Sequence, residues 1–421
     1  MARRLVPFVI LVALVGGASS RVEASSSTCK QVLAKYPTGV VKSKAQAIRL
    51  ANAGLARPVV NAKAYATARR LDRFNNGMVC IAEANKKFFA KGLAAPTSTS
   101  ASDPIGSANP AVSVASANAI GAAGGTCLVA MKDGKTIGEW YWGGRTPATR
   151  TIGYSTSKPL TSAVIGAAER LGLLRIDQSA ADFIPEWRGT PKAAITIRHL
   201  LTHTSGLSTT GLNLQNVLTT AAGNSTSVAV GLPLTSTPGS TFHYDSSSII
   251  MQTLVRVVES ATGQKFTTFA EKFVLSPLGM ASSSYLGDDP TTGNQSGDPW
   301  LAGGLQTTCR DLARLGQLFQ SQGSWEGKQI FTADYASQAL AAQVATPNYA
   351  HSAYGLLISH LQGGLGHGGF CGQWLQTLAS GVTIAAMSSS TSLTDNVTPL
   401  CSTQRVNSMV MAVIAATHRS L

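Results

Sequence analysis

Three short motifs follow one another in fixed order along this chain: Ser155-Thr156-Ser157-Lys158, Tyr244-Asp245-Ser246 and His367-Gly368-Gly369. Far apart in sequence, they make chemical sense only in a fold that brings all three to one place. A serine hydroxyl is a poor nucleophile until a neighbouring base takes its proton. Lys158 lies three residues after Ser155, the spacing at which two side chains share one face of a helix.

The surroundings of Ser155 support that geometry. An apolar run from Pro159 to Leu173 predicts a helix, so Ser155 falls at its N-terminus. Unpaired N–H groups and the positive dipole end there favour a developing alkoxide and an oxyanion. Pro159 is tolerated in the first turn because the N–H it lacks would have had no partner. Lys158 acts as a base only when neutral, which requires burial or nearby positive potential. Tyr244 precedes a second apolar stretch, Ile249 to Ala261, and its hydroxyl beside a lysine would relay a proton to a leaving group. Gly366-His367-Gly368-Gly369-Phe370 opens a late strand whose glycines let backbone approach a ligand. The oxyanion donors predicted here are the N–H groups of Phe370 and Ser155, with His367 touching substrate or polarising Tyr244. Taken singly, the motifs also fit a helix cap with a surface lysine, a half-buried tyrosine and a structural histidine.

The ends of the chain read differently. Arg3 and Arg4, the apolar stretch Leu5 to Val15 and the small residues from Ala18 to Ala24 have the anatomy of a secretory signal over residues 1–24. Val22-Glu23-Ala24 fits the cleavage rule best, and cleavage at Ser19 or Ser20 stays open. The stretch is too short for a comfortable membrane span, and no transmembrane segment is expected in the mature chain. The expected address is secreted, extracellular or a periplasm-like compartment. Six cysteines without a C-x-x-C pair or zinc spacing fit disulfides there, with Cys29–Cys80 and Cys371–Cys401 the favoured pairs. No metal or other cofactor is called for. Sequons at Asn224, Asn294 and Asn396 are compatible with a glycoprotein.

Charge divides the chain. Residues 25–95 hold thirteen Lys and Arg against Asp72 and Glu83, a net of +11, whereas residues 121–421 carry a net of only +2. The reading is a basic helical N-terminal segment (25–95), an Ala/Ser/Pro/Gly-rich linker (96–124) and a body (125–421). The basic part suits an anionic glycan or surface, or is simply a solvated face; nucleic acid is not an expected partner of an exported protein. Within the body, Thr126–Met131 and Thr136–Trp142 flank a Lys-Asp-Gly-Lys turn, a hairpin pattern. Helical signals dominate to about Phe319. Strands return over Tyr354–Ser359, Gly366–Leu375 and Gly381–Met387, before a last apolar helix from Thr403 to Thr417. With 44% hydrophobic and 13% charged residues there is ample material for a core. The predicted class is α+β, a mixed α/β fold in which helices flank a central, mostly antiparallel sheet with an inserted helical lobe.

With these motifs the chain resembles the serine β-lactamase and penicillin-binding superfamily, on the side of the class C β-lactamases, related esterases and 6-aminohexanoate-dimer hydrolases. Tyr-x-Ser stands where the class A branch has Ser-Asp-Asn, and His-Gly-Gly where it has Lys-Thr-Gly. Ile197–Leu207, Pro277–Met280, Ala302–Leu305 and Arg310–Leu312 also match the family's usual wording. The resemblance covers roughly Gly125 to Leu421. It implies that Ser155 is acylated, that Lys158 and Tyr244 share acid/base work, and that His367, Gly368, Gly369 and Phe370 line the substrate strand, with Ser246 a further candidate substrate contact. Two departures, Ser246 in place of asparagine and His367 in place of lysine, favour a small ester or amide over a β-lactam. A peptidoglycan-type peptidase or transpeptidase, a true β-lactamase and an inactive binding or scaffold protein remain alternatives.

Overall fold

The structure, a computed structural model, describes residues 29–36, 40–43, 47, 58–68, 78–79, 114–212, 224–244, 247–287, 297–346, 349 and 351–388. The favoured pairs Cys29–Cys80 and Cys371–Cys401, like the helix expected over 403–417, reach beyond these residues.

Two ends of the body build one sheet. After helix α1 (Val114–Ala122) come strands β1 (Gly125–Lys132) and β2 (Lys135–Tyr141), joined at the Asp133-Gly134 turn where the hairpin was predicted. Much later follow β3 (Val344–Ala345), β4 (Ala353–Tyr354), β5 (Ser359–Leu361), β6 (Gly364–Gly368), β7 (Trp374–Leu378) and β8 (Thr383–Ser388). They form an eight-stranded sheet of order β3-β4-β5-β6-β7-β8-β1-β2, antiparallel at every step. The closing pair is β8 on β1, with Ala385 opposite Val129. Both strands are buried along almost their whole length, because helices cover both faces.

One face carries α1, whose Ala117 and Ile120 pack among Leu128, Ala130, Leu378, Ile384 and Ala386. This helix falls in the stretch expected to be linker. Its composition is linker-like, yet two buried apolar residues and several small ones suffice to lay a short helix on an apolar sheet. The body therefore begins at about residue 114. The other face carries α4 (Cys309–Gln320). A Cβ at Gly316 would lie 2.6 Å from Thr383 Cγ2, so only glycine lets this helix settle on β8. The disulfide Cys127–Cys309 ties β1 to the start of the same helix.

Between the two sheet halves lies the helical middle. Its centre is α2 (Lys158–Arg170), in which every residue from Lys158 to Ala168 is buried, beside α3 (Thr253–Thr262) and α5 (Ala333–Leu340). A small sheet pairs Thr151–Ile152 and Ser284–Tyr285 with Leu305–Thr307, and it frames the entrance to α2. No sequence signal had marked these very short strands.

Two late strands were misjudged. Tyr354–Ser359 is not one strand but the ends of β4 and β5 around a turn in which Leu357 has φ 61°. Gly366–Leu375 is likewise interrupted by a 3-10 turn at Phe370–Gly372, where Cys371 has φ 61°. The basic N-terminal segment also departs from the all-helical expectation. Besides helices Cys29–Lys35 and Ala62–Ala68, Val40–Val41 pairs in parallel with Val59–Val60 and antiparallel with Met78–Val79. Adjacent β-branched residues favour extended backbone there. Val41 and Ala47 are buried in the main core cluster, so the segment packs on the body rather than hanging from it. No helix among the described residues is long and apolar enough to cross a membrane.

Candidate active site

Ser155 sits in a 3-10 turn, Tyr154–Ser157, that runs without a break into α2. Tyr154 holds φ 47°, a left-handed conformation that costs a tyrosine of order 1 kcal/mol or more and that clusters at functional sites. The turn lifts Ser155 into partial exposure while Tyr154, Thr156, Ser157 and Lys158 are buried. Main-chain groups hold it. Gly153 N–H donates to Leu305 O at 2.7 Å, Leu305 N–H donates to Ser157 Oγ at 3.0 Å, and Thr156 Oγ1 donates to Gly153 O at 2.7 Å.

The same segment serves the lysine. Lys158 Nζ lies 3.0 Å from Ser155 Oγ and donates to Ala302 O at 3.2 Å. Its side chain is fully buried, and desolvation of the ammonium lowers its pKa to about 7. That lowering is worth on the order of 5 kcal/mol against the charged form. The Tyr244 ring face, 4.9 Å from Nζ, opposes it by roughly 2 kcal/mol, the scale for a desolvated pair. Burial wins, and a large fraction of Lys158 is a free amine at neutral pH. With one N–H on Ala302 O, the amine's lone pair is left for the Ser155 proton.

Tyr244 is half-buried in a cluster of rings. It stands edge-on to His203 (centroids 5.6 Å apart, interplanar angle 86°) and stacks on His367 (5.9 Å, 29°). Tyr349, His351, Phe242 and Tyr354 complete the cluster. The chain is thus brought back to Lys158 by two distant segments, as the order of the motifs required. Ser246, proposed from sequence as a substrate contact, lies outside the described residues.

His367 is the penultimate residue of β6 and is buried, with Nε2 3.1 Å from Tyr354 Oη and Nδ1 2.6 Å from Gly368 O. Desolvation first, then the nearby Lys158, push its pKa well below that of an ordinary histidine. A neutral, buried imidazole with both nitrogens engaged suits the predicted influence on Tyr244 better than contact with substrate. Gly369 comes close to the serine turn. A Cβ there would lie 2.6 Å from Gly153 O, so a side chain would wedge the strand away from Ser155. Gly369 N–H donates to Gln373 O at 2.7 Å and closes the turn carrying Phe370. The Phe370 ring is 47% exposed and meets Tyr154 edge-on at 5.7 Å. Cys371 beside it is disulfide-bonded and so unavailable as a rival nucleophile.

Among the participants not singled out from sequence are the Ala302 carbonyl, the Leu305 clamp and His203. The first two lie within Ala302–Leu305 and the third within Ile197–Leu207, both noted for their wording rather than for chemistry. The latter stretch opens as a short helix, Ile197–Leu201, capped reciprocally by Thr196 and His199. It ends with His203 at φ 55°, a turn that sends the chain on toward the aromatic cluster. Among the described residues no group of three or more His, Cys, Asp or Glu side chains could hold a metal ion. An apolar cavity of about 440 Å³ lies farther along β6 and β7, between Pro159, Phe319, Leu340 and Leu365; Ser155, Tyr244 and Phe370 do not line it.

Comparison with known proteins agrees with this fold. The family model described as Beta-lactamase matches residues 113–399. The esterase EstB of Burkholderia gladioli is 30% identical over 155 residues, which cover 32% of this chain and only 38% of EstB. A putative β-lactamase from Bacteroides dorei superposes with a TM-score of 0.58 at 24% identity, covering 70% of this chain and 93% of the other. A putative 6-aminohexanoate-dimer hydrolase from Bacillus anthracis gives a TM-score of 0.58 at 21% identity, covering 72% and 81%. These two likenesses establish the fold.

Proposed function

The chain belongs to the β-lactamase family and is a serine hydrolase, and within that family we propose that it cleaves a small ester or amide through an acyl-enzyme on Ser155. The observation that carries this reading is the contact of Ser155 Oγ with a fully buried Lys158 whose pKa lies near 7. In the first step the free amine accepts the serine proton while Oγ attacks the carbonyl carbon. Negative charge forms on the carbonyl oxygen, where the N–H groups of Ser155 and Phe370 receive it. Tyr244 passes a proton to the departing alcohol or amine. A water molecule then attacks the acyl-enzyme, the same groups work in reverse, and Ser155 recovers its proton.

The preference for ester or amide over β-lactam rests on His367. Where a cation would meet an antibiotic's carboxylate, the strand carries a neutral imidazole committed to Tyr354 and to Gly368 O. The likeness to an esterase agrees with that preference. We place the protein outside the cytoplasm, on its N-terminal signal anatomy and on the Cys127–Cys309 disulfide, a bond that persists in oxidising compartments. In this reading the +11 segment holds it to an anionic glycan or surface. The experiment is a substrate panel: short-chain p-nitrophenyl esters, a linear amide dimer and a chromogenic cephalosporin. The expected order places esters or the amide at least tenfold above the cephalosporin in kcat/KM. A cephalosporin turned over best would make the protein a β-lactamase.

A further inference from the structure

Behind Tyr244, one tyrosine hydroxyl touches two buried histidines. Tyr354 Oη lies 3.2 Å from His203 Nε2 and 3.1 Å from His367 Nε2, and all three side chains are buried. The protons in this chain can be assigned from its far end. Gly368 O, 2.6 Å from His367 Nδ1, can only accept, so Nδ1 carries a hydrogen. Burial keeps this imidazole neutral, which leaves Nε2 as a bare acceptor, and Tyr354 must donate to it. Having spent its only hydrogen, Tyr354 must accept from His203, whose proton is then on Nε2. His203 is held neutral too, so its Nδ1 is bare, and that buried atom has no hydrogen-bond partner among the described residues. One backbone carbonyl thus fixes the direction of every bond in the series.

The series connects two parts of the site. At one end the His203 carbonyl accepts from His243 N–H at 3.0 Å, and its ring abuts Tyr244. At the other end His367 grips Gly368 O, in the peptide whose next N–H, on Gly369, closes the turn to Gln373. We propose that Tyr354, backed by His203, is a positioning residue for the oxyanion turn: its hydrogen bond to Nε2 fixes the His367 ring in the orientation from which Nδ1–H holds Gly368 O, and so keeps residues 368–370 in register with Ser155 and Tyr244. Neither Tyr354 nor His203 reacts with substrate in this role. A donor displaced by about 1 Å costs on the order of a hundredfold in rate, so a lock on that peptide has a large lever. This role rests on the acyl-enzyme reading, in which the Phe370 N–H receives the oxyanion.

Nitrogen-15 NMR of histidine-labelled wild-type protein reads the tautomers directly. The expected pattern is hydrogen on Nδ1 of His367 and on Nε2 of His203; hydrogen on Nε2 of His367, or a charged His367, overturns the proposal. Tyr354→Phe then removes the hydroxyl and keeps the ring. With p-nitrophenyl butyrate its kcat should fall at least tenfold while KM stays within about threefold, and His203 should lose its fixed Nε2–H signal. A kcat equal to wild type overturns the positioning role. If Tyr354→Phe does not fold, the wild-type tautomers decide the matter alone. Absence of a Ser155 adduct in the wild type would instead overturn the acyl-enzyme reading, and the tautomer pattern separates that failure from this one.

Discussion

On one side of the site Ser155 and Lys158 lie a single turn apart, gripped by main-chain groups of residues 302–305. On the other side Tyr244 is held by rings from four separate stretches of chain: His203, Phe242, the Tyr349–Tyr354 region and His367. The first wall is local and its chemistry comes from desolvation. The second is assembled at long range, and its order comes from ring packing and one chain of hydrogen bonds. A local wall can be written as a motif; an assembled wall exists only after folding. The two should therefore fail differently when cut.

The largest effect belongs to the local wall. Ser155→Ala should abolish ester turnover, by about 10⁴-fold or more. The protein should still fold, since the hydroxyl contacts only Lys158 among the bonds described. Turnover and a circular-dichroism melt of the same sample check both halves.

Next come the groups that move protons, one from each wall. Lys158→Met and Tyr244→Phe should each lower kcat by about a hundredfold or more. The double variant should be little worse than the poorer single one, because groups acting as a unit lose function together. Additive losses would mean that the walls act independently. Lys158→Met should also stabilise the fold. In the unfolded chain the lysine has an ordinary pKa and in the native state about 7, so the unfolded state binds more protons between those values. The wild type therefore pays the full penalty of a buried ammonium below pH 7, and the penalty fades as pH rises toward 10. The gain in Tm from Lys158→Met should be greatest at pH 6 and shrink at pH 9.

The contrast between the walls also explains what could be read in advance. Ser155, Lys158, Tyr244 and the glycines around His367 were legible because helix spacing and backbone clearance impose local residue choices. The central antiparallel sheet was legible in its hairpin and in its late apolar runs. The Tyr354–His203–His367 chain was not, because a hydrogen bond between residues from three segments leaves no periodicity in any of them. Helix α1 was missed for another reason: alanine and serine compose both linkers and close-packed helices, and only contact with Leu128 and Ile384 decides between them. The burial of part of the N-terminal segment went unread for a similar reason, since charge shows where the segment is basic but not that Val41 is buried.

A smaller effect concerns pH. Because Lys158 must be neutral to act, kcat/KM should rise tenfold per pH unit up to about 7 and then level. A rise centred near pH 10 would mean that the lysine is not desolvated in solution.

The smallest effect is expected outside both walls. Removing residues 25–112 spares α1 and every catalytic group, so turnover of a neutral ester should stay within about twofold. Loss of the Val41 contact, worth roughly 2 kcal/mol when a valine is fully buried, should lower Tm by a few degrees. Salt-sensitive retention on heparin should vanish with the +11 charge. Loss of turnover in a folded truncation would show that the segment completes the site.

The central claim is that Ser155 is the nucleophile activated by Lys158. Peptide mass spectrometry after treatment with a fluorophosphonate tests it most directly. The account predicts one covalent adduct, on Ser155, formed at least a hundredfold more slowly in Lys158→Met. An adduct on Ser205 instead, or labelling of Ser155 at an undiminished rate without the lysine, would contradict it.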